Sequence, residues 1–316
     1  MFRGLYETCF AQVAMGVSCG MGKRAVIYGA SGFIGGGLAG LLAGEGYEVV
    51  GVSRKGAGNM SGVTRWVKPE DVDFQGCDVV VNLAGAPIDQ RWTEARKREF
   101  HESRVGVTED IVERIAALPE GGRPGVLLNG SAVGIYGNRG DEILGEGSPH
   151  GTGYLADLCA EWEAAAGKAE LLGVRVVMFR IGVVLGKGGQ AYEKLMRVFK
   201  AGIGGRLGDG SQWMPWIHVD DLRRAMVFSI LSEGIRGAVN GTAPVPERNS
   251  DLTRKLARAV GRWVFLPVPG FALRLVLGDF AGVLLASQRA VPAKLEKAGF
   301  AFRFRTLEDA FADLTA

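Results

Sequence analysis

The sequence predicts an α/β protein: a doubly wound parallel sheet of the Rossmann type with a smaller, mostly helical C-terminal lobe. Three observations carry that prediction. A short apolar strand runs into a glycine-spaced turn and then a helix near the start of the chain. Apolar runs alternate with helical stretches through the first half, and the rhythm breaks after Gly186 into glycine- and proline-punctuated sequence.

The turn is Gly29-Ala30-Ser31-Gly32-Phe33-Ile34-Gly35, preceded by a strand from Ala25 to Tyr28 and followed by Leu38, Leu41 and Leu42 as a buried helix stripe. Gly29 takes the tight turn, Gly32 has no side chain to hold a pyrophosphate away, and Gly35 lets helix and strand pack closely. The free amides that open the helix, around Ser31, Phe33 and Ile34, then face the phosphates. Among 49 glycines the spacing alone would mean little; the strand before it and the helix after it make it a dinucleotide site.

The second strand, Glu48 to Val52, runs out into Ser53-Arg54-Lys55, where an NAD site carries an acid for the ribose hydroxyls. A carboxylate there repels a 2'-phosphate, whereas a guanidinium holds it through paired, charge-assisted bonds. NADP(H) is therefore the expected cofactor.

Further strands are expected at Asp78 to Asn82, Val126 to Asn129 and Val174 to Phe179, with long helices from about Glu94 to Leu118 and about Tyr154 to Leu172. The third strand runs into Leu83-Ala84-Gly85, small residues of the kind needed where a flat cofactor crosses a strand end. Beyond Gly186 comes a helix from Gln190 to Lys200, a glycine-rich stretch, and the segment Gln212 to Asp221. Its Trp213 and Trp216 read either as walls of a substrate pocket or as core. From Pro244 the chain is mostly helical, jointed at Pro267, Pro269 and Pro292. The expected organisation is an extension at 1–20, disordered and adding nothing to the fold; a dinucleotide-binding domain at 21–186 and 208–243; and a substrate lobe at 187–207 and 244–316.

With 316 residues, 47% of them hydrophobic, the chain can bury a large core. A net charge of +3, without a basic stripe interleaved with aromatics, argues against nucleic acid. Cys9, Cys19, Cys77 and Cys159 form no CxxC pair and His101, His150 and His218 are far apart, so neither a disulfide framework nor a metal site is expected. The first 20 residues resemble a secretory signal only faintly, and the longest apolar stretch, near Phe271 to Leu285, is broken by Arg274 and Asp279. The expectation is a cytoplasmic protein with a small-molecule substrate and no membrane or nucleic-acid partner; the sequence leaves the oligomeric state open.

Taken together, GASGFIG (29–35), VSRK (52–55), NLAG (82–85), RW with a later SR (91–92, 103–104), SAVGIYG (131–137), CAEWE (159–163), RIGVVLG (180–186), QWMPWIHVDD (212–221) and SQRAVPAKLEKAGFAF (287–302) resemble the extended short-chain dehydrogenase/reductase proteins. Within them the chain is similar to an atypical branch, the epimerase-family proteins with a C-terminal domain of unknown function, and the likeness runs from Lys23 to Leu314. It implies NADP(H) binding, with cofactor roles for Ser53, Arg54, Leu83, Ala84, Glu99 and Arg104.

The chain also departs from the wider superfamily, whose Tyr-x-x-x-Lys pair moves a proton and holds the nicotinamide ribose. Counted from Tyr154, the lysine position is Leu158; if Trp162-Glu163 sets the register, the pair becomes Leu155 and Cys159. Lys168, the nearest following lysine, is more than two helical turns beyond either. Ser131 lies five residues before Tyr136, against the usual four, with Ala132 in the usual place, and Met214 stands where similar nucleotide-sugar enzymes carry a diphosphate-gripping arginine. Arg180 and Arg206 are alternative sources of that charge.

Three readings of function follow. One is an NADP(H)-dependent oxidoreductase or epimerase on a small carbonyl or hydroxyl compound, with Ser131 polarising and Tyr154, Tyr136 or His218 donating the proton, and with Tyr136, Trp213, Trp216 and His218 around the substrate. The second is a non-catalytic NADPH-binding sensor or scaffold, motivated by the missing dyad. The third docks the apolar tail at Phe271 to Leu285 on lipid or a partner.

Overall fold

The computed structural model describes residues 22–263 and 267–316, so the N-terminal extension, with Cys9 and Cys19, lies outside the described residues. The central sheet is built from β1 (Arg24–Tyr28), β2 (Glu48–Val52), β3 (Arg65–Val67), β4 (Val79–Asn82), β5 (Val126–Ala132), β6 (Arg175–Ile181) and β7 (Gly237–Gly241). Its seven strands are all parallel, in the order β7-β6-β5-β4-β1-β2-β3. Two of them, β3 and β7, are absent from the sequence reading. Arg65-Trp66-Val67 is too short to show alternation, and Gly-Ala-Val-Asn-Gly lacks the apolar run of a buried strand. The order reverses between β1 and β4, which opens the ligand crevice beyond their carboxyl ends, at Gly29 and Leu83 to Gly85.

The helices are α1 (Phe33–Gly44), α2 (Glu94–His101), α3 (Val107–Ala116), α4 (Tyr154–Gly167), α5 (Gln190–Lys200), α6 (Val219–Leu231), α7 (Asn249–Ala259), α8 (Gly270–Leu277), α9 (Phe280–Leu285), α10 (Ala293–Lys297) and α11 (Leu307–Thr315). Alternation along the strands feeds two cores. Ala25, Ile27, Val49 and Val81 pack with Leu38 and Leu42 of α1 and Leu222 and Met226 of α6, while Val26, Tyr28, Val50 and Val80 pack with Ile111 and Ile115 of α3 and Ala166 of α4. The expected single helix from Glu94 is α2 and α3 joined by a π-helical turn, Glu102–Gly106, an irregularity of the kind that often marks a functional site.

Tyr192, Met196 and Phe199 of α5, Leu252 and Leu256 of α7, and Leu307 and Phe311 of α11 form a separate core around Trp216. Part of the tail does not join it: Leu295, Phe300 and Phe302 pack into the core of the sheet, with Phe300 tilted against Phe228 of α6 at 5.4 Å. No helix among the described residues is long and apolar enough to cross a membrane.

Candidate functional site

Gly29 has φ +77°, and a Cβ there would lie 2.8 Å from the Leu83 carbonyl oxygen, so only glycine lets β1 turn under the end of β4. A Cβ on Gly35 would approach the Gly29 oxygen to 2.3 Å, which seals helix to strand. Gly32 differs: a Cβ there would meet only the Gly29 oxygen, at 3.1 Å, and the residue is exposed. The first turn of α1 has neither a side-chain cap nor an acid, so its opening amides and positive dipole end are left for an anion. Arg223 of α6 fixes this turn from behind, donating to the Phe33 and Ile34 carbonyls with its guanidinium 5.4 Å over the Phe33 ring. That ring fits against Gly186 and Gly189, where any Cβ would collide with it.

At the end of β2, Ser53 Oγ donates to the Ala57 carbonyl at 2.9 Å and accepts the Ala57 amide at 3.2 Å. Its hydroxyl therefore shapes the loop that carries Arg54. Arg54 and Lys55 are exposed, and the Arg54 guanidinium makes no hydrogen bond or ion pair among the described residues.

Beside Leu83, Ala84 and Gly85 the strand ends are pinned by a buried polar cluster. Asn82 Nδ2 donates to Asn129 Oδ1 at 2.8 Å and to Thr108 Oγ1 at 2.9 Å, and Trp162 Nε1 donates to the same hydroxyl at 2.9 Å. The π-helical turn serves this end: Ser103 Oγ accepts the Ala86 amide at 3.0 Å, and Arg104 Nη2 donates to the Ala86 carbonyl at 2.9 Å. Arg104 stands beside Gly85, where a Cβ would come within 3.1 Å of its guanidinium carbon, and burial lowers its pKa. Glu99 is not brought to this place; it pairs with Arg96 on the solvent side of α2 at 2.6 Å. An i,i+3 partner within its own helix accounts for it.

The residues expected to react are committed elsewhere. Ser131 Oγ donates to Glu163 Oε1 at 2.7 Å, so its one proton is not free to polarise a carbonyl. Glu163 is clasped by Arg180 through Nε and Nη2, each at 2.8 Å, and Arg180 Nη1 donates to Tyr136 Oη at 2.9 Å and to the Glu146 carbonyl at 3.0 Å. Tyr136 is fully buried and donates to Asn240 Oδ1 at 2.6 Å; burial raises its pKa. It belongs to this network and does not face a substrate. Four of the five Arg180 N–H donors are spent in this network, which leaves one Nη2 proton and no paired fork for a diphosphate.

Tyr154 Oη donates to the Lys97 carbonyl at 3.0 Å, its ring meets Trp92 edge-on at 5.3 Å, and burial raises its pKa. Leu158 and Cys159, the two lysine positions, are both buried, with the Cys159 thiol pushed up to about 12 by burial. Trp216 is 0% exposed and donates to the Val245 carbonyl: it is core and not a pocket wall. Trp213 is half-buried, with the Arg248 and Arg289 guanidinium groups 4.6 and 4.5 Å over its ring, and donates to Asp141 at 2.7 Å. His218 is buried at the start of α6, accepting the Asp220 amide at Nδ1 and packed at a tilt against Phe304 with ring centroids 3.9 Å apart, a capping and packing role. Among the described residues no group of His, Cys, Asp or Glu side chains could hold a metal ion.

The sequence reading missed Glu163 and Asn240 as members of this network. Its signal was a carboxylate in an apolar helix, CAEWE, and an arginine in an apolar strand, VVMFRI: two opposite charges in elements that must be buried.

Residues 25–240 match the NAD dependent epimerase/dehydratase family, and residues 268–314 match a domain of unknown function, DUF1731. An epimerase family protein of Mycobacterium bovis is 40% identical over 296 residues, covering 92% of this chain and 96% of the relative. The chloroplastic SDR39U1 homolog of Arabidopsis thaliana is 43% identical over 236 residues, 75% of this chain and 68% of the relative. Human epimerase family protein SDR39U1, solved with NADPH, superimposes with a TM-score of 0.83 at 30% identity over 92% of this chain and 99% of the human one. With its glycine turn, its strand order and its C-terminal module all in place, the chain belongs to the NAD dependent epimerase/dehydratase family, among the epimerase family proteins that carry this C-terminal domain.

Proposed function

We propose that the chain binds NADP(H) through Gly29 to Gly35, Arg54 and the Leu83 to Gly85 strand end. The turn at Gly32 carries this reading: it has no side chain, and it opens a helix whose first-turn amides have neither a side-chain cap nor an acid beside them, which is what a pyrophosphate requires. Arg54, with its guanidinium unpaired at the end of β2, would take the 2'-phosphate. The NADPH in the human relative's structure supports the same choice. Bound NADPH would supply a hydride; this chain's residues would hold and orient it.

The proton chemistry favours the non-catalytic form of the reading. The Ser131, Tyr136 and Tyr154 hydroxyls all donate within the protein, and apolar or thiol side chains occupy the lysine positions. A protein built this way is suited to sensing or displaying the dinucleotide. A second reading, an oxidoreductase or epimerase on a small carbonyl or hydroxyl compound, is favoured by Tyr154, whose hydroxyl is tied only to a backbone carbonyl and is released by one torsion.

Calorimetric titration with NADPH and NADH, followed by NADPH consumption across a panel of small carbonyl compounds, separates the readings. NADPH-selective binding without turnover is expected. Turnover of any panel member would favour the second reading, and failure to bind either dinucleotide would sink both.

A further inference from the structure

One face of α7 carries Ser250, Thr253, Arg254 and Arg258, spaced three and four residues apart, and with Arg206 and Arg262 it lines an open cavity of about 860 Å³. Four arginines, a serine and a threonine line this space, and no carboxylate is among the described residues that line it. One wall is tied down. The Arg206 carbonyl accepts the Val268 amide at 2.8 Å, and the next amide, of Leu207, donates to Asn249 Oδ1 at 2.7 Å, which ties the Arg206 loop to the start of α7.

Two acids lie close by. Asp251 pairs with Arg254 at 2.8 Å, and Asp209, whose pKa is held down mainly by the Ser211 amide and hydroxyl, also feels Arg206. Arg258 and Arg262 have no ion pair among the described residues, so the cavity keeps uncompensated positive charge. Guanidinium forks match phosphate oxygens in pairs, and a confined cavity of one sign concentrates its counter-ion. None of the glycine-turn residues, nor Arg54, lines it.

We propose that this cavity is a second, separate binding site for a phosphate-bearing anion carrying more than one negative charge, such as a free oligophosphate or the phosphate headgroup of an anionic lipid. Arg258 and Arg262 are its principal ligands, Arg206 and Arg254 complete the fork, and Ser250 and Thr253 supply neutral hydrogen bonds.

The test uses the full chain, inorganic tripolyphosphate in one arm and phosphatidate-containing vesicles in the other, with plain phosphatidylcholine vesicles as reference. Saturable binding is expected in at least one arm, weakened at least tenfold in Arg258→Glu/Arg262→Glu and to a lesser degree in Arg258→Gln/Arg262→Gln, with thermal unfolding unchanged. Arg54→Glu should leave it unaltered. Tripolyphosphate binding alone assigns a soluble ligand; binding only to phosphatidate vesicles assigns a lipid headgroup. No binding in either arm, or binding that Arg54→Glu abolishes and the paired variants do not, would overturn the proposal, the second result placing the anion at the dinucleotide turn.

Discussion

Ser131 Oγ gives its proton to Glu163 Oε1 across 2.7 Å, and that carboxylate is held from its other side by Arg180. The bond joins the end of β5 to α4, the two elements that in similar enzymes carry the serine and the Tyr-x-x-x-Lys pair. A site for moving protons is occupied here by a closed ion pair whose side chains are 10% and 11% exposed. Such a pair adds little net stability over an apolar replacement but is costly to break from one side.

Glu163→Gln therefore leaves Arg180 buried opposite a neutral amide, and we expect a loss of about 3 kcal/mol or more in denaturant unfolding. Ser131→Ala removes one hydrogen bond to a charged group and should cost about 1.5 kcal/mol. Equal stability for Glu163→Gln and the parent protein would show that the pair is not a structural lock.

The glycines of the turn separate architecture from binding. Gly35→Ala places a methyl 2.3 Å from a backbone oxygen and should cost roughly 1–3 kcal/mol of stability. Gly32 has φ −80° and ψ 169°, which alanine adopts, and a Cβ there would meet only the Gly29 oxygen, at 3.1 Å, so, compared with Gly35→Ala, Gly32→Ala should cost less stability. Its methyl would stand in the pyrophosphate's way, and we expect NADPH affinity to fall at least tenfold, about 1.4 kcal/mol. Parent-like affinity in Gly32→Ala would remove the turn from the binding site.

Sequence made the β1 turn legible because its requirements are local: one glycine with positive φ, one tight helix contact and one open approach. The strands β3 and β7 were hidden because a three-residue edge strand and a glycine-flanked one derive their stability from neighbours and not from their own pattern. Tyr136, Trp213, Trp216 and His218 misled for a related reason. Residue type announces what a side chain can do, while burial and partners decide what it does: the groups that occupy Tyr136, Trp213 and Trp216 come from segments distant in sequence, and His218 is held by the Asp220 amide two residues on and packed against the distant Phe304. Arg104 and Glu99, five residues apart on one helical run, met opposite fates because the π-helical turn carries the first toward Gly85.

Arg54→Glu should weaken NADPH by at least ~1.5 kcal/mol, a charge-assisted bond's worth, and leave NADH nearly unchanged. The expectation rests on an unpaired guanidinium beyond β2, and paired titrations check it. Equal losses for both cofactors would contradict a 2'-phosphate role.

His218 makes folding stability depend on pH. Its Nδ1 accepts the Asp220 amide, and its Nε2 lies 3.3 Å from Asp313 without completing a hydrogen bond. Burial lowers its pKa from 6.5 despite the pull of Asp220, Asp313 and Asp221. Below that unfolded value the unfolded chain takes up a proton that the folded chain resists, so this contribution is complete above about pH 6.5 and declines as pH falls toward the folded pKa. We expect a slope of at most about 1.4 kcal/mol per pH unit, reduced in His218→Asn, which keeps a capping acceptor but does not titrate. An unchanged slope in the variant would assign the pH dependence to other groups.

Tyr154→Phe tests what remains of the family's chemistry. In the usual arrangement the tyrosine is coupled through its lysine to the nicotinamide ribose; here the residue four positions on, Leu158, is buried and the hydroxyl donates to the Lys97 carbonyl. Removing that hydroxyl deletes one half-buried neutral hydrogen bond, worth about 1 kcal/mol of stability, while the ring stays packed edge-on against Trp92. NADPH affinity should change less than threefold by calorimetry. A loss of tenfold or more would show that the hydroxyl leaves Lys97 to meet the bound dinucleotide, and would move the balance from a sensor to an enzyme.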